Sequence, residues 1–154
     1  MRRGLLLLSL GLIACKPDPA EDSPPKSLTL DIGAIDPSLE GKLVIDVPPG
    51  SKAEPLDPGR VSIRGPQAGL FSLIVDVQPN DLEQQRKGAA ELVLDEPDLM
   101  ITKIDFGESG SMLAFVANVR VGERTFGCEQ DTAAFLDRAQ IDAMIAACRT
   151  LRIE

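Results

Sequence analysis

The sequence contains no histidine, no tryptophan and no tyrosine among its 154 residues. Without histidine, a Ser-His-Asp or Cys-His nucleophile cannot be assembled, and the commonest general base and metal ligand is missing. Five phenylalanines are its only aromatic side chains, which weakens any site that stacks a sugar or a base on rings. Carboxylates, lysine and cysteine remain for chemistry, and we expect no catalytic residue, no metal and no cofactor.

Basic residues are also scarce. The chain has 16 lysines and arginines against 24 acidic residues, a net charge of −8. An acidic chain repels phosphate backbones, and no stripe of lysine and arginine with interleaved aromatics appears. The composition therefore predicts no nucleic-acid partner, and it offers no basic helix for an anionic membrane surface.

The one long apolar run lies at the N-terminus, over residues 5–13, and only Ser9 and Gly11 interrupt it. Arg2 and Arg3 precede it. A basic start, an apolar middle of this length and a small residue before the break are typical of a secretory signal. The run is too short to cross a bilayer as a helix, which takes about 20 residues.

The residues that end this run, Leu12-Ile13-Ala14-Cys15, resemble the lipobox of bacterial lipoproteins. The resemblance implies that Cys15 is acylated, for example with palmitate, and becomes the new N-terminus. Two or three acyl chains anchor a protein stably where a single chain does not. The alternative is an ordinary cleaved signal with a cysteine nearby by chance.

Residues 1–14 are thus expected to be a lipoprotein signal peptide, and residues 15–27 a lipidated cysteine followed by a Pro-rich acidic linker. The mature chain would keep 14 basic and 24 acidic residues, a net charge of −10. In polyproline geometry the linker reaches roughly 35 Å from the membrane. Lys16 follows the cysteine, where an Asp retains enterobacterial lipoproteins at the inner membrane. The resemblance therefore favours export to the outer membrane.

Residues 28–154 are long enough for a single domain with one core. A near-continuous apolar run over residues 70–77 predicts an internal strand. Residues 112–121 alternate, and Gly122-Glu123 is a hairpin signal that leads into a strand over residues 124–130. The stretch 51–60 contains two prolines and a glycine and is predicted to be a loop.

Two helices are predicted. Asn80 or Asp81 caps the first, which is expected to run to about Leu94. Asp137 caps the second, with Gln140 three residues later. The apolar stripe of the second helix consists of Ile141, Met144, Ile145, Cys148 and Leu151.

This order of elements predicts an α+β fold in which two helices cover an antiparallel sheet of about five or six strands. Residues 43–50, a strand followed by Pro-Pro-Gly, and residues 135–151, the capped helix with its stripe, resemble the PsbP-like sandwich. The photosystem II extrinsic protein and a Ran-binding import factor share that fold. Because it hosts unrelated binding roles, the resemblance transfers no function residue by residue.

Cys128 and Cys148 are the most informative pair of residues in the domain. In an exported protein, an even pair of cysteines favours a disulfide, which would join the last helix to the sheet. Redox activity would prefer a Cys-x-x-Cys spacing in an electropositive setting, whereas Glu129 is adjacent to Cys128. Zinc needs about four nitrogen or sulfur ligands, and two free buried thiols are the remaining alternative.

Carboxylates and hydroxyls give three weaker candidates for a functional site. Asp95, Glu96 and Asp98 suggest a Ca²⁺ site, but they lack a calcium-loop pattern and are expected to form a solvated turn. Glu129 and Asp131 are spaced to share a strand face as an acid pair, and such pairs more often face water. A Ser-Lys pair of Ser109 or Ser111 with Lys103 is the third, although the Gly-rich setting fits a hairpin turn better.

The leading hypothesis is a lipid-anchored protein of the cell envelope, held to the membrane through Cys15, that binds or scaffolds another envelope protein without catalysis. A second hypothesis is a carboxylate-dependent envelope enzyme, which needs two acids in a pocket and a raised pKa. A third is a carrier of a small ligand in an apolar cavity, which a well-packed sheet would contradict.

Overall fold

Ten β-strands and two α-helices make up the part of the chain that the computed structural model describes, namely residues 24–30, 41–67, 69–131 and 136–154. The helices are α1 (Leu82–Gly88) and α2 (Arg138–Cys148), and a short 3-10 helix spans Gly107–Ser109. The strands are β1 (Lys26–Leu30), β2 (Leu43–Val47), β3 (Lys52–Asp57), β4 (Arg60–Arg64), β5 (Ser72–Asp76), β6 (Leu92–Asp95), β7 (Leu99–Asp105), β8 (Ser111–Val121), β9 (Arg124–Gln130) and β10 (Arg152–Ile153).

These strands form two sheets in which all the paired neighbours are antiparallel. The larger sheet has seven strands in the order β3-β4-β5-β9-β8-β7-β6, and the smaller has the order β1-β2-β10. The prediction of an α+β fold with an antiparallel sheet and two helices is confirmed. The predicted five or six strands are too few, because short strands at the sheet edges carry little apolar alternation.

Helix α2 closes the core between the sheets. It contacts β8 and β5 of the larger sheet and β2 of the smaller one. Ile141, Met144 and Cys148 have no exposed surface, and the remaining two residues of the predicted stripe are also buried. The stripe places apolar side chains every three or four residues, which is the spacing of one helix face.

The N-terminus of α2 is fixed by a capping box. The Asp137 carboxylate accepts a hydrogen bond from the Gln140 backbone N–H at 2.9 Å, and the Gln140 side-chain oxygen accepts one from the Asp137 N–H at 2.9 Å. Two amide groups that have no partner inside the helix are satisfied in this way. The predicted helix start is confirmed.

Strands β5, β8 and β9 also follow the sequence prediction. The first four residues of β5 are buried, as an internal strand with both faces covered requires. Gly122 turns the chain between β8 and β9 with a φ of 62°, a conformation that favours glycine. The alternating side chains of β8 place Phe115 and Ala117 in the core.

The predicted extent of the first helix is wrong. Helix α1 ends at Gly88, and the residues expected to complete it form β6, which pairs with β7. Asp81 caps α1 by accepting from the Gln84 N–H at 2.9 Å. Gly88 is a poor residue for a helix interior, and the run Leu92-Val93-Leu94 suits a strand once a partner is beside it.

The loop predicted over residues 51–60 is also wrong, because β3 lies within it. Strand β3 is an edge of the larger sheet and pairs only with β4. Proline has no N–H to donate and is tolerated at such an edge, and the pairing register shifts between Pro55 and Asp57. Pro55 is therefore compatible with an edge strand and does not interrupt the sheet.

Strand β1 begins at Lys26, two residues before the predicted start of the domain, so the end of the predicted linker belongs to the smaller sheet. The predicted signal peptide, Cys15 and the linker up to residue 23 lie outside the described residues. Within the described residues, neither helix has the length and apolar character needed to cross a membrane.

Candidate functional site

Cys128 and Cys148 are joined by a disulfide in the structure, with their Cα atoms 6.4 Å apart. Cys128 lies on β9 opposite Val75 of β5 and Ala117 of β8. Both cysteines have no exposed surface. The bond ties α2 to the middle of the larger sheet. A sulfur pair enclosed in this way is out of reach of a redox partner, which needs an exposed thiol.

A groove of about 760 Å³ lies beside α2, and we call it the α2 groove. Its apolar walls come from the segments that follow β2 and β4 and from the chain entry: Pro25, Val47, Pro48, Pro49, Pro66, Leu70 and Phe71. Leu70, on the wall of the groove, is 43% exposed. The volume lies within the range of about 300–1,000 Å³ that holds small ligands.

The floor of the α2 groove is an alanine face of the helix. Ala139, Ala143 and Ala146 are exposed and line the groove, at the i, i+4 and i+7 positions of one helix side. The charged residues of the helix lie elsewhere, with Arg138 donating to Asp142 at 2.8 Å. Alanine leaves a shallow channel where longer side chains would fill the space. The spacing of these alanines in the sequence places them on one helix side, but it gives no sign of the walls that turn that side into a groove.

The chain enters the described structure beside this groove. Pro25 is on its wall, and Ser27, two residues later, donates to the Asp46 carboxylate at 2.7 Å. Arg152 of β10 contacts Asp46 at 3.1 Å and Ser27 at 3.1 Å. The hydrogen bonds from Ser27 and Arg152 lower the pKa of Asp46. These contacts fasten β1, the first strand after the predicted linker, to β2 and β10.

A second polar cluster lies on β3, β4, β5 and β9. Arg60 contacts Glu129 at 2.5 Å, Asp76 at 3.4 Å and Asp57 at 3.8 Å. Each of these side chains keeps a quarter or more of its surface exposed. The arrangement cross-links neighbouring strands by charge, and exposed ion pairs of this kind contribute little stability individually.

Asp131 is the most enclosed acid of this cluster. Its Oδ2 atom accepts hydrogen bonds from the hydroxyls of Ser62 at 2.6 Å and Ser72 at 3.1 Å, and Arg64 lies 3.5 Å away. Burial works against ionisation, but the two hydroxyls and the Arg64 charge outweigh it, so the pKa of Asp131 is lowered. A carboxylate held in its ionised form does not serve as a general acid.

The sequence suggests that Glu129 and Asp131 could share a strand face and that such a pair more often faces water; in the structure the two side chains are 29% and 13% exposed. They share one sheet face, as their spacing predicts, but each is bonded to its own partners on the neighbouring strands. Arg60 and Ser62 come from β4, which is distant in sequence. The sequence alone does not show that these partners lie beside Glu129 and Asp131, because the order of the strands in the sheet is needed to place them.

The remaining sequence candidates make ordinary contacts in the strands β6, β7 and β8 and in the turns beside them. Asp95 pairs with Arg86 at 2.6 Å, and Arg86 also donates to the Glu96 carbonyl. Lys103, imagined as a partner of Ser109 or Ser111, lies 3.5 Å from the Glu91 carboxylate. Over the ranges that the structure covers, no three acids or cysteines are grouped so that they could hold a metal ion.

Comparison with known proteins yields no relative: no family model, no curated protein and no solved structure matches the chain. Its function must therefore be argued from its own residues.

Proposed function

We propose that this protein is a lipid-anchored module of the cell envelope that binds a partner protein in the α2 groove without catalysis. The observation that carries the proposal is the groove itself, an open apolar channel with Leu70 exposed on its wall. Exposed apolar surface that is rimmed by polar residues is typical of a binding site. Asp46, Gln67 and Asp137 supply such a rim.

The anchor rests on Leu12-Ile13-Ala14-Cys15, with Cys15 as the acylated residue. Lys16 favours the outer membrane over the inner one. Since the chain enters the domain beside the groove at Pro25, a tether fixed in the membrane would hold the groove at a limited distance from the bilayer. This arrangement suits a partner that is itself in the envelope.

The PsbP-like sandwich is our proposal for the finer fold. It is supported by β2 leading into Pro48-Pro49-Gly50 and by α2 packing on both sheets. Residue 135, where the resembling helical stretch begins, lies outside the described residues. The resemblance assigns no binding partner, because this fold carries many unrelated roles.

The enzyme hypothesis finds less support. It needs a carboxyl group with a raised pKa in a pocket, whereas the pKa values of Asp46 and Asp131 are both lowered. The small-ligand carrier has one observation in its favour, which is the volume of the groove. An experiment on the proposed function must therefore separate a protein partner from a small molecule.

We would place a photo-cross-linking amino acid at Gln67, which is exposed on the groove, in the full-length protein in its own cells. The mass of the adduct then distinguishes a protein partner from a small molecule. The matched control carries the same amino acid at Glu123, an exposed hairpin residue that does not line the groove. We expect a protein-sized adduct from position 67 alone, lost when Ala143→Phe fills the channel. Equal adducts from both positions, or an adduct of small-molecule mass, would contradict the proposal.

A further inference from the structure

The α2 groove lies where the membrane tether meets the domain, and this placement identifies an occupant. The contacts of Ser27 with Asp46 and Arg152 hold the start of β1 at the groove, and Pro25 forms part of the wall. Nine residues separate Pro25 from Cys15, so the tether spans ten residue steps. If Cys15 is acylated, the acyl chains are covalently attached within a short distance of an apolar channel.

The reach of this tether matches the groove. Ten residues span about 31 Å when fully extended in polyproline geometry, and about 17 Å as a flexible chain. Helix α2 has 11 residues and is about 16 Å long. An attached ligand is at its highest effective concentration when the tether length matches the span to its site. Cys15 is therefore within reach of the whole floor of the groove.

The lining selects an uncharged chain. Its charged residues are the acids Asp46 and Asp137, and none of the described residues on the groove is a lysine or arginine. A phospholipid phosphate or the carboxylate of a free fatty acid would meet no cation there. The linker peptide, with Asp18, Glu21 and Asp22, is acidic as well. An acyl chain in amide or ester linkage carries no charge and fits walls of proline, leucine and phenylalanine.

We propose that one acyl chain on Cys15 lies in the α2 groove whenever the protein is out of the bilayer, and that membrane insertion withdraws the chain and frees the groove for its partner. This inference rests on the proposed lipidation of Cys15. Two ligands that compete for one site are coupled reciprocally. Membrane attachment and partner binding therefore favour each other, and one acyl chain is covered while the protein is in water.

The experiment uses full-length protein from cells fed a fatty acid that carries a diazirine. After detergent removal, one sample stays in buffer and the other is inserted into phosphatidylcholine vesicles, and both are irradiated. Trypsin cuts after Arg138 and Arg149, so the floor of the groove is recovered as residues 139–149 after reduction of the disulfide. We expect the acyl chain to be cross-linked to this peptide in buffer, and the adduct to be lost in vesicles.

Two variants make the test specific. Ala143→Phe fills the groove and should abolish the adduct, whereas Asp142→Phe adds the same ring to the charged side of α2 and should keep it. Adducts spread over other peptides, or an adduct unchanged by Ala143→Phe in a protein with the wild-type circular dichroism spectrum, would overturn the inference. An N-terminal peptide without any acyl group would overturn the proposed anchor, and this inference with it.

Discussion

Breaking the Cys128–Cys148 disulfide should strongly destabilise the domain. The bond closes a loop with a sequence separation of 20 residues and ties α2 to β9. In the chain-entropy model, a cross-link over about 20 residues restricts the unfolded chain by about 3 kcal/mol. Reduction keeps both sulfur atoms in the core and leaves no cavity. The loss of unfolding free energy therefore lacks the cavity term that a substitution by alanine would add.

The expected change is large enough to measure in urea. For a slope of about 2 kcal/mol per molar urea, a loss of 3 kcal/mol lowers the unfolding midpoint by about 1.5 M. In a thermal scan, the same loss lowers the melting temperature by about 10 °C for a domain of this size. Since the chain has no tryptophan and no tyrosine, unfolding is best followed by far-ultraviolet circular dichroism.

The assay uses protein with Cys15→Ser, in which Cys128 and Cys148 are the only cysteines. Samples are unfolded and refolded with and without reductant before the urea titration. A double variant, Cys128→Ser with Cys148→Ser, is the control and should give one midpoint under both conditions. Non-reduced protein that is alkylated at both cysteines after unfolding, or a midpoint that reductant leaves unchanged, would refute the reasoning.

Three further substitutions, with Asp142→Ala as a matched control for one of them, test other parts of the structure. Gly127→Ala places a Cβ atom 2.7 Å from the Gln78 carbonyl oxygen and should cost about 2 kcal/mol in urea unfolding; a neutral result would contradict the close packing there. The pKa of Asp131 is lower in the folded protein than in the unfolded chain, so the stability that this carboxylate contributes is present above about pH 4 and is lost as the pH falls through the folded pKa. Asp131→Asn should remove this loss of stability in acid. Identical pH–stability curves for the variant and the wild type would contradict this role of Asp131. Asp137→Ala removes the cap of α2 and should lower the free energy of unfolding by about 1 kcal/mol. Asp142→Ala breaks only an exposed i,i+4 ion pair and should lower it by about 0.4 kcal/mol. Equal losses in the two variants would count against the capping box.

Features that depend on neighbouring residues could be predicted from the sequence. The cap of α2 needs only Asp137 and Gln140, and its buried stripe is a periodic pattern within one helix. The hairpin at Gly122 is likewise decided by the residues of the turn and its two flanking strands. In each case the interacting groups are close in sequence.

The missed strands lack a strand-like pattern of their own, although each pairs with a strand only a few residues away along the chain. Strand β3 contains Pro55 and exposed charges, and only its edge position beside β4 makes it a strand. Strand β6 continues the apolar content of the predicted helix, and pairing with β7 decides its conformation. Propensity is a weak guide where tertiary pairing overrides it.

The α2 groove was out of reach of sequence reasoning for a related reason. Its walls come from the chain entry, from the turn after β2 and from the turn before β5, which the fold brings beside α2. Asp131 shows the same limitation, since the hydroxyls that bind it come from residues 62 and 72. A surface assembled from four separate segments leaves no contiguous signature.

The mass of the N-terminal peptide of the mature protein, purified from membranes, tests the central claim most directly. We predict that the mature chain begins at Cys15 and that this residue carries acyl groups. We also predict that Cys15→Ser moves the protein from the membrane fraction to the soluble one. A mature chain with an unmodified Cys15, or membrane association that Cys15→Ser leaves unchanged, would contradict the claim.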